Sequence, residues 1–262
     1  MAHISIIIGA QWGDEGKGKW CDLLSKKSDI IARFQGGGNA GHTIYLESNK
    51  LILHHIPSGF LHNDKKLALS AGMVINPIDL YQEINMLEEK VKNFSKENIL
   101  ISKQAHVVTP WHIHCDKINE ESKQDKIGTT KKGIGPTYKD RTSRQGLSFS
   151  EYINENLFNQ WFKKYSNIHP AFANYVKNNP TVWKDFLKYR SFFTNLVHPV
   201  EEILRKSFTE NKNILLEGAQ GCLLDLVHGT YPYVTSSVTN VGGAVSSIGF
   251  DPRLISDVIG IA

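Results

Sequence analysis

A glycine-rich segment between an apolar run and an amphipathic run constrains the fold of this chain more than any other feature. Residues 3–9, "HISIIIG", are almost entirely apolar and β-branched, as in a strand buried on both faces of a parallel sheet. Residues 9–20, "GAQWGDEGKGKW", follow, and Trp20, Leu23 and Leu24 then recur at helical spacing. The order of strand, glycine loop and helix indicates an α/β protein whose helix N-terminus favours a bound anion.

The glycine loop fits most of a phosphate-binding pattern but departs from it at the last position. Gly13, four further residues, and then Gly18 and Lys19 match the spacing GxxxxGK of a nucleoside-triphosphate-binding loop. Trp20 stands where that pattern has a Ser or Thr that binds Mg²⁺, so another group must hold the metal, and Asp14 is the nearest hard oxygen ligand. The alternative is a glycine-rich turn with surface charges, but the flanking strand and helix favour phosphate binding.

Composition predicts a globular protein and excludes some classes of partner. Of the 262 residues, 40% are hydrophobic and 21% are charged, and the net charge of +4 is too small to imply nucleic acid. Three cysteines without a CxxC pair favour a reducing compartment. The sequence shows neither a leader pattern nor an apolar run long enough to cross a bilayer. We expect a cytoplasmic protein that binds neither nucleic acid nor a membrane.

The order of elements predicts an α/β fold with a mostly parallel central sheet, a P-loop-like strand-loop-helix, flanking helices and a helical insertion. Strands are expected at 4–9, 29–34, 43–47, 51–56, 66–70, 98–102 and 213–217, and helices at 16–27, 77–91 and 110–124. The pair of strands around "ESNK" should form a hairpin. We expect one nucleotide-binding domain over 1–262, with the helical insertion at about 149–210. Because "RLISDVIGIA" stops within an apolar run, we also expect the fold to continue beyond it.

Three further segments carry candidate binding residues. A second glycine loop, "RFQGGGNAGHT" at 33–43, should face the same crevice as the first, and an imidazolium at His42 could stabilise charge on phosphoryl oxygens. Residues 126–146 are rich in Lys, Arg and Thr and lack apolar periodicity, so we expect a loop that binds phosphate, although a solvated basic surface is the usual alternative. Near "EGAQG", Gln220 could contact a base or hold a water.

Taken together, these segments resemble the adenylosuccinate synthetase family, whose members use GTP to join IMP to aspartate. The resemblance covers essentially the whole chain and runs, in the family's order, through "QWGDEGKGK", "GGNAGHT", "IPSG", "IGTTKKGIGPTY", "EGAQG", "LLDLVHGTYPYVTSS" and "GG" at 242–243. It implies a Mg²⁺-dependent ligase for IMP and L-aspartate, with GTP as co-substrate. The family's C-terminal portion, which grips aspartate and reads guanine, is expected to be absent from this chain.

The resemblance also implies a role for individual residues. Asp14 would be the general base that takes the N1 proton of IMP, and His42 would stabilise the phosphoryl group leaving GTP; Lys17 and Gln220 complete the expected catalytic set. The metal ligands would be Asp14 and the Gly41 carbonyl. Phosphates of GTP would be held by Gly13, Asp14, Glu15, Gly16, Lys17, Gly18, Lys19, Gly41, His42 and Thr43. Contacts with IMP would come from Asp14, Glu15, Gly16, Lys17, Asn39, Ala40, Gly41, His42, Thr130, Gln220 and Thr235, and, across a homodimer, from Arg144.

Departures from the family pattern are few, and two other functions stay open. Lys132, Gln145 and Val238 stand where the family commonly has Arg, Arg and Asn. One alternative is a chain that binds IMP or phosphate without turnover. The other is a P-loop GTPase, which Gly18 and Lys19 favour but which Trp20 and the lack of a separate guanine-reading motif oppose.

Overall fold

A seven-stranded parallel sheet lies at the centre of the chain in the computed structural model, which describes residues 2–46, 49–62, 64–122, 124 and 126–262. The strand order is β11-β1-β10-β2-β5-β7-β9. The strands are β1 Ile4–Gly9, β2 Ile30–Arg33, β3 His42–Leu46, β4 Asn49–Leu53, β5 Lys66–Leu69, β6 Val74–Ile75, β7 Ile99–Ser102, β8 His106–Val107, β9 Val197–His198, β10 Ile214–Gly221 and β11 Asp257–Ile261. This arrangement confirms the predicted α/β class and mostly parallel sheet.

Helices pack against the sheet and make up most of the central part of the sequence. They are α1 Lys17–Ser25, α2 Pro77–Lys90, α3 Pro110–Glu121, α4 Ile134–Thr142, α5 Phe149–Ile153, α6 Glu155–Ile168, α7 Pro170–Asn178, α8 Pro180–Lys188, α9 Val200–Thr209 and α10 Val241–Ile248. Short 3₁₀ turns occupy Ser58–Leu61, Lys96–Asn98, Arg190–Phe193, Cys222–Leu224 and Pro252–Leu254. Within the described residues, no helix is long and apolar enough to cross a membrane.

The predicted elements that rest on strong apolar patterns are confirmed. Ile4, Ile6 and Ile7 of β1 are fully buried, as expected for a strand covered on both faces. Helix α2 begins where Asn76 accepts a hydrogen bond from the Ile78 N–H, next to a proline at the first helical position. The hairpin of β3 and β4 is antiparallel, with Thr43 opposite Ile52. Its predicted turn at residues 47 and 48, like position 123 in the predicted third helix, lies outside the described residues.

The prediction that the whole basic segment 126–146 is a loop was wrong, because helix α4 occupies its second half. Gly133 begins that helix with φ of 77°, in the left-handed region that glycine adopts without strain. The helix buries Ile134, Thr137 and Asp140. Asp140 accepts hydrogen bonds from His112 Nε2 and from the Tyr165 hydroxyl, which compensates for its burial. The buried face is therefore largely polar, and apolar periodicity could not reveal it.

An aromatic cluster forms the core of the helices between residues 149 and 193. Phe172 is fully buried and packs against Trp161, Tyr165 and Trp183 with ring-centroid distances of 5.9, 4.9 and 5.4 Å. Such contacts add to the free energy gained by removing large rings from water. Strand β9 follows this helical stretch and pairs with the edge of the central sheet, since Ile101 is the register partner of Val197.

We expect Phe172→Ala to lower the free energy of unfolding by about 3–5 kcal/mol, because the substitution removes a large ring and leaves a cavity. Urea unfolding followed by far-ultraviolet circular dichroism measures this change. Leu157→Ala, at an exposed position of α6, is the matched control and should change stability by less than about 1 kcal/mol. Equal effects of the two substitutions would contradict the assigned core.

Candidate functional site

The loops that follow β1, β2 and β10 meet at the carboxyl ends of these strands and enclose a cleft of about 390 Å³. Strand β10 lies between β1 and β2, and all three run parallel, so the segments that follow them emerge side by side. Ligands of open α/β sheets bind in the crevice at the carboxyl ends of the strands. Of the site residues predicted from the sequence, the cleft is lined by Gly13, Asp14, Gly16, Lys17, Gly18, Lys19, Asn39, Ala40, Gly41, His42, Thr43 and Gln220.

The first loop is held in shape by Glu15. One carboxylate oxygen of Glu15 accepts hydrogen bonds from the N–H groups of Gln11 and Gly13, at 3.0 and 2.9 Å, and the other accepts one from Lys17 Nζ at 2.5 Å. Burial of the carboxylate opposes its ionisation, but the bonds from Lys17 and from the loop N–H groups outweigh it and lower the pKa of Glu15. The Glu15 side chain therefore organises the loop and is not part of the cleft wall.

Asp14 differs from its neighbour in both conformation and environment. Its backbone has φ of 59°, and the residue is exposed on the cleft wall. A non-glycine residue in this left-handed region is uncommon and is found most often at functional sites and turns. The loop thus separates its two acidic residues, with Glu15 turned toward the backbone and Asp14 available to a ligand.

His42 is fixed at the end of the second loop by contacts with two other segments. Its Nε2 lies 3.0 Å from the Ile56 carbonyl oxygen, which assigns the proton to Nε2, and its Nδ1 lies 3.7 Å from Glu217. Burial of the ring lowers the pKa of His42, against the opposing influence of the Glu217 carboxylate. Burial therefore favours the neutral form of the imidazole.

Two buried carboxylates hold the segment that positions His42. Glu83 of α2 accepts hydrogen bonds from the N–H groups of His54, His55 and Ile56. Glu217 of β10 accepts bonds of 2.8 and 2.7 Å from the N–H and hydroxyl of Ser58. Because Ile56 in turn contacts His42, these carboxylates fix the imidazole from behind.

Helix α4 supports the second loop through Tyr138. The Gly36 N–H donates to the Tyr138 hydroxyl at 2.9 Å, and that hydroxyl donates to the Gly72 carbonyl oxygen at 2.8 Å. Burial raises the pKa of Tyr138 to about 12, so the hydroxyl keeps its proton and remains a donor. The segment "IGPTY" thus acts beneath the second loop, through its tyrosine.

A second cleft of about 400 Å³ adjoins the first and contains Thr130 and Thr235. The two clefts share Trp12, Asn39, Gln220 and Leu224 in their walls. Gln220 has φ of 58°, and both atoms of its side-chain amide lack a hydrogen-bond partner among the described residues. The shared wall is therefore suited to a ligand that extends from one cleft into the other.

Arg144, like Glu15, is a predicted site residue that lines neither of the two clefts. It follows α4, has φ of 63°, is exposed, and lines a separate depression with Trp161 and Lys164. Sequence reasoning also missed Arg33, Glu217 and Ser58, which are buried around the first cleft. The only available signal was a charged residue inside each of two apolar strands and a serine in "IPSG".

The sequence of this chain is similar to those of one known protein family. A sequence model described as adenylosuccinate synthetase matches residues 6–262. Adenylosuccinate synthetases of Clostridium botulinum and Exiguobacterium sibiricum are 41% and 40% identical to 98% of this chain. The chain spans 61% and 60% of the length of those curated relatives.

Solved structures agree with the sequence comparisons. The fully ligated adenylosuccinate synthetase of Plasmodium falciparum superimposes on all of this chain with a TM-score of 0.91 and 36% identity, over 62% of its own length. The succinoaminodeoxyadenylate synthetase of cyanophage S-2L, bound to dGMP and dATP, gives a TM-score of 0.71 at 21% identity and supports the fold alone.

We expect the His42 imidazole to titrate below its ordinary pKa of 6.5, because burial disfavours the charged ring. Since the folded pKa lies below the unfolded value, the unfolded chain takes up this proton first, and stability falls as the pH drops through 6.5. Nuclear magnetic resonance of the ring, assigned with His42→Asn, measures the titration. A pKa at or above the ordinary value would contradict the assigned environment.

We expect Glu15→Gln to lower the free energy of unfolding by about 1–3 kcal/mol at neutral pH, because it removes a buried acceptor of several hydrogen bonds. The folded pKa of Glu15 is depressed, so this stabilisation is present above its ordinary pKa of 4.5 and is lost as the pH falls through the folded value. Chemical unfolding at several pH values measures both effects. Glu202→Gln, at an exposed site on α9, is the control; a pH-independent difference would refute the assignment.

Proposed function

Because the chain belongs to the adenylosuccinate synthetase family, we propose that it is a GTP-dependent ligase that forms adenylosuccinate from IMP and L-aspartate by way of 6-phosphoryl-IMP. The observation that carries the proposal is the convergence of Asp14, Lys17, His42 and Gln220 on one cleft. These residues supply a carboxylate base, a cation, an imidazole and an amide at the carboxyl ends of the parallel strands, where open α/β sheets bind ligands.

In the proposed reaction, the Asp14 carboxylate takes the N1 proton of IMP. The O6 atom then attacks the γ-phosphorus of GTP, the bond to the bridging oxygen breaks, and GDP leaves. The amine of aspartate next attacks C6, the C6–O6 bond breaks so that O6 departs with inorganic phosphate, and the newly bonded nitrogen releases its surplus proton to water. A general base must lie within hydrogen-bond reach of the proton it removes, and exposure on the cleft wall allows Asp14 to do so.

The two glycine loops divide the remaining tasks. Residues 13–19 and 41–43 hold the phosphates of GTP, with the N-terminus of α1 and two lysines balancing the negative charge. His42 stabilises the phosphoryl group as it leaves GTP, and the approach of that anion favours protonation of the imidazole. Asn39 and Gln220 bind IMP together with Thr130 and Thr235 of the adjoining cleft.

Residues of the cleft also fit Mg²⁺. In the described parts of the chain there is no cluster of three or more His, Cys, Asp or Glu residues that could hold a metal alone. Magnesium in phosphoryl-transfer sites is commonly held by one or two carboxylates together with phosphate oxygens. Asp14 and the Gly41 carbonyl are suited to this role at the cleft. When bound, Mg²⁺ neutralises charge on the phosphate oxygens.

We also propose a homodimer in which Arg144 reaches the IMP site of the second copy. Arg144 is exposed and lines neither cleft of its own chain, which supports this assignment. A guanidinium is well suited to a phosphate because its planar donors match two phosphate oxygens.

The experiment that tests the proposed function is adenylosuccinate formation by this chain with GTP, IMP, L-aspartate and Mg²⁺, with each omitted in turn and with ATP in place of GTP. We expect product only when all four are present. Absence of product while IMP still protects the chain against heat would contradict turnover and leave a ligand-binding role.

We expect Asp14→Asn to lower turnover by about 10²–10⁴-fold, the contribution typical of a positioned general base. Pyrophosphate binding, measured by calorimetry without metal, should change little because the loop amides remain. Asp185→Asn, at an exposed position of α8, is the control and should keep full turnover. Turnover retained by Asp14→Asn would exclude Asp14 as the base.

A further inference from the structure

A buried arginine lies in the wall of the first cleft and has no part in the reaction described above. Arg33 ends β2, is 1% exposed, and lines the cleft together with Asp14 and His42. Arginine is rarely buried to this extent unless its charge is paired. Its register partner on β10 is Glu217, so the two charged residues occupy neighbouring positions in the sheet.

Only one of the three nitrogen atoms of the Arg33 guanidinium has a hydrogen-bond partner among the described residues. Its Nη1 donates to the His54 carbonyl oxygen. Its Nε and Nη2 have no hydrogen-bond partner among the described residues. The Glu217 carboxylate attracts the cation, but that carboxylate accepts its hydrogen bonds from Ser58. A buried N–H of a charged group that lacks a partner is costly, so the free edge of Arg33 is a candidate ligand contact.

Gly36 lies beside this free edge, and a Cβ atom there would come within 2.9 Å of the Ala219 Cβ. A Cβ atom at Gly36 would lie 3.6 Å from Arg33 Nη2 and 3.3 Å from Gln220 Oε1. The guanidinium and the unpartnered Gln220 amide therefore flank the same small volume. The φ of 81° at Gly36 favours glycine at this position.

We propose that the free Nε and Nη2 edge of Arg33, beside the Gln220 amide, binds an anionic oxygen of the phosphoryl group that occupies this cleft. Two parallel N–H donors on a planar cation match phosphate oxygens in geometry and in charge. The inference rests on the proposed function for the identity of that phosphoryl group. It adds a buried cation at the end of β2 to the two lysines at the start of α1.

Pyrophosphate is the probe that tests this contact without requiring turnover. We expect Arg33→Met to weaken pyrophosphate binding about 10- to 100-fold in calorimetry, the range expected for lost hydrogen bonds to a charged group. Arg33→Lys, which keeps the charge but loses the planar pair of donors, should give an intermediate loss. A change of less than about twofold in folded Arg33→Met would overturn the inference.

Arg190→Met is the matched control. Arg190 also has Nε and Nη2 without partners among the described residues, but its guanidinium stacks 4.3 Å from the Phe158 ring centroid, in the aromatic cluster and not in the cleft. Its replacement should leave pyrophosphate affinity within about twofold. An equal loss in the two Met variants would show a general effect of removing an arginine and would overturn the specific contact.

A measurement on the unsubstituted chain keeps the inference testable if Arg33→Met does not fold. The Nε–H resonance of Arg33, assigned by its loss in Arg33→Lys, should shift when pyrophosphate is added, whereas that of Arg190 should not. An unchanged Arg33 resonance at saturation would overturn the proposal. Pyrophosphate binding with this shift but without adenylosuccinate formation would support the Arg33 contact while refuting the proposed ligase.

Discussion

The parallel pairing of β10 with β1 on one side and β2 on the other is the constraint on which the site depends. Gly9 pairs with Gly221, and Arg33 pairs with Glu217. Three strands that are distant in the chain therefore end side by side at the same end of the sheet. A Cβ at Gly221 would overlap the Gln11 carbonyl oxygen, which shows how closely the first loop approaches β10. The cleft is therefore a consequence of strand order more than of any one loop.

Buried carboxylates hold the segments at this end of the sheet in place. Glu217 holds Ser58, Glu83 holds the backbone that contacts His42, and Glu15 holds the first loop. Each carboxylate has several donors, so the free energy lost on burial is offset by hydrogen bonds that only one loop conformation provides. Asp14 stands apart because it is exposed on the cleft wall. This contrast separates the carboxylates that support the site from the one that can react.

Much of this organisation follows from patterns that the sequence displays. The apolar strands, helix α2 with its proline start and the hairpin of β3 and β4 follow local rules, and the structure has all of them. Helix α4 was missed because its buried face includes Thr137 and Asp140, whose burial depends on partners far along the chain. The sheet order could not be predicted either, since β10 and β11 pair with β1 across more than two hundred residues.

The candidate site, like the fold, could be predicted from the sequence only in part. Glycine spacing predicted the two loops, but Arg33 and Glu217 lie within strands whose apolar neighbours suggest a purely structural role. Their importance appears only when strand register sets them side by side beneath His42 and Gln220. Arg144 illustrates the opposite case, because motif resemblance singled it out while the fold of one chain leaves it outside both clefts.

Transfer of an isotope from IMP to phosphate is the most direct test of our proposal that this cleft transfers a phosphoryl group to O6 of the purine. IMP labelled with ¹⁸O at O6 would be converted with GTP, L-aspartate and Mg²⁺, and the released phosphate would be analysed by mass spectrometry. We expect one ¹⁸O atom in the phosphate for each adenylosuccinate formed. Phosphate without ¹⁸O would contradict attack by O6 and would indicate hydrolysis of GTP or a different activated atom.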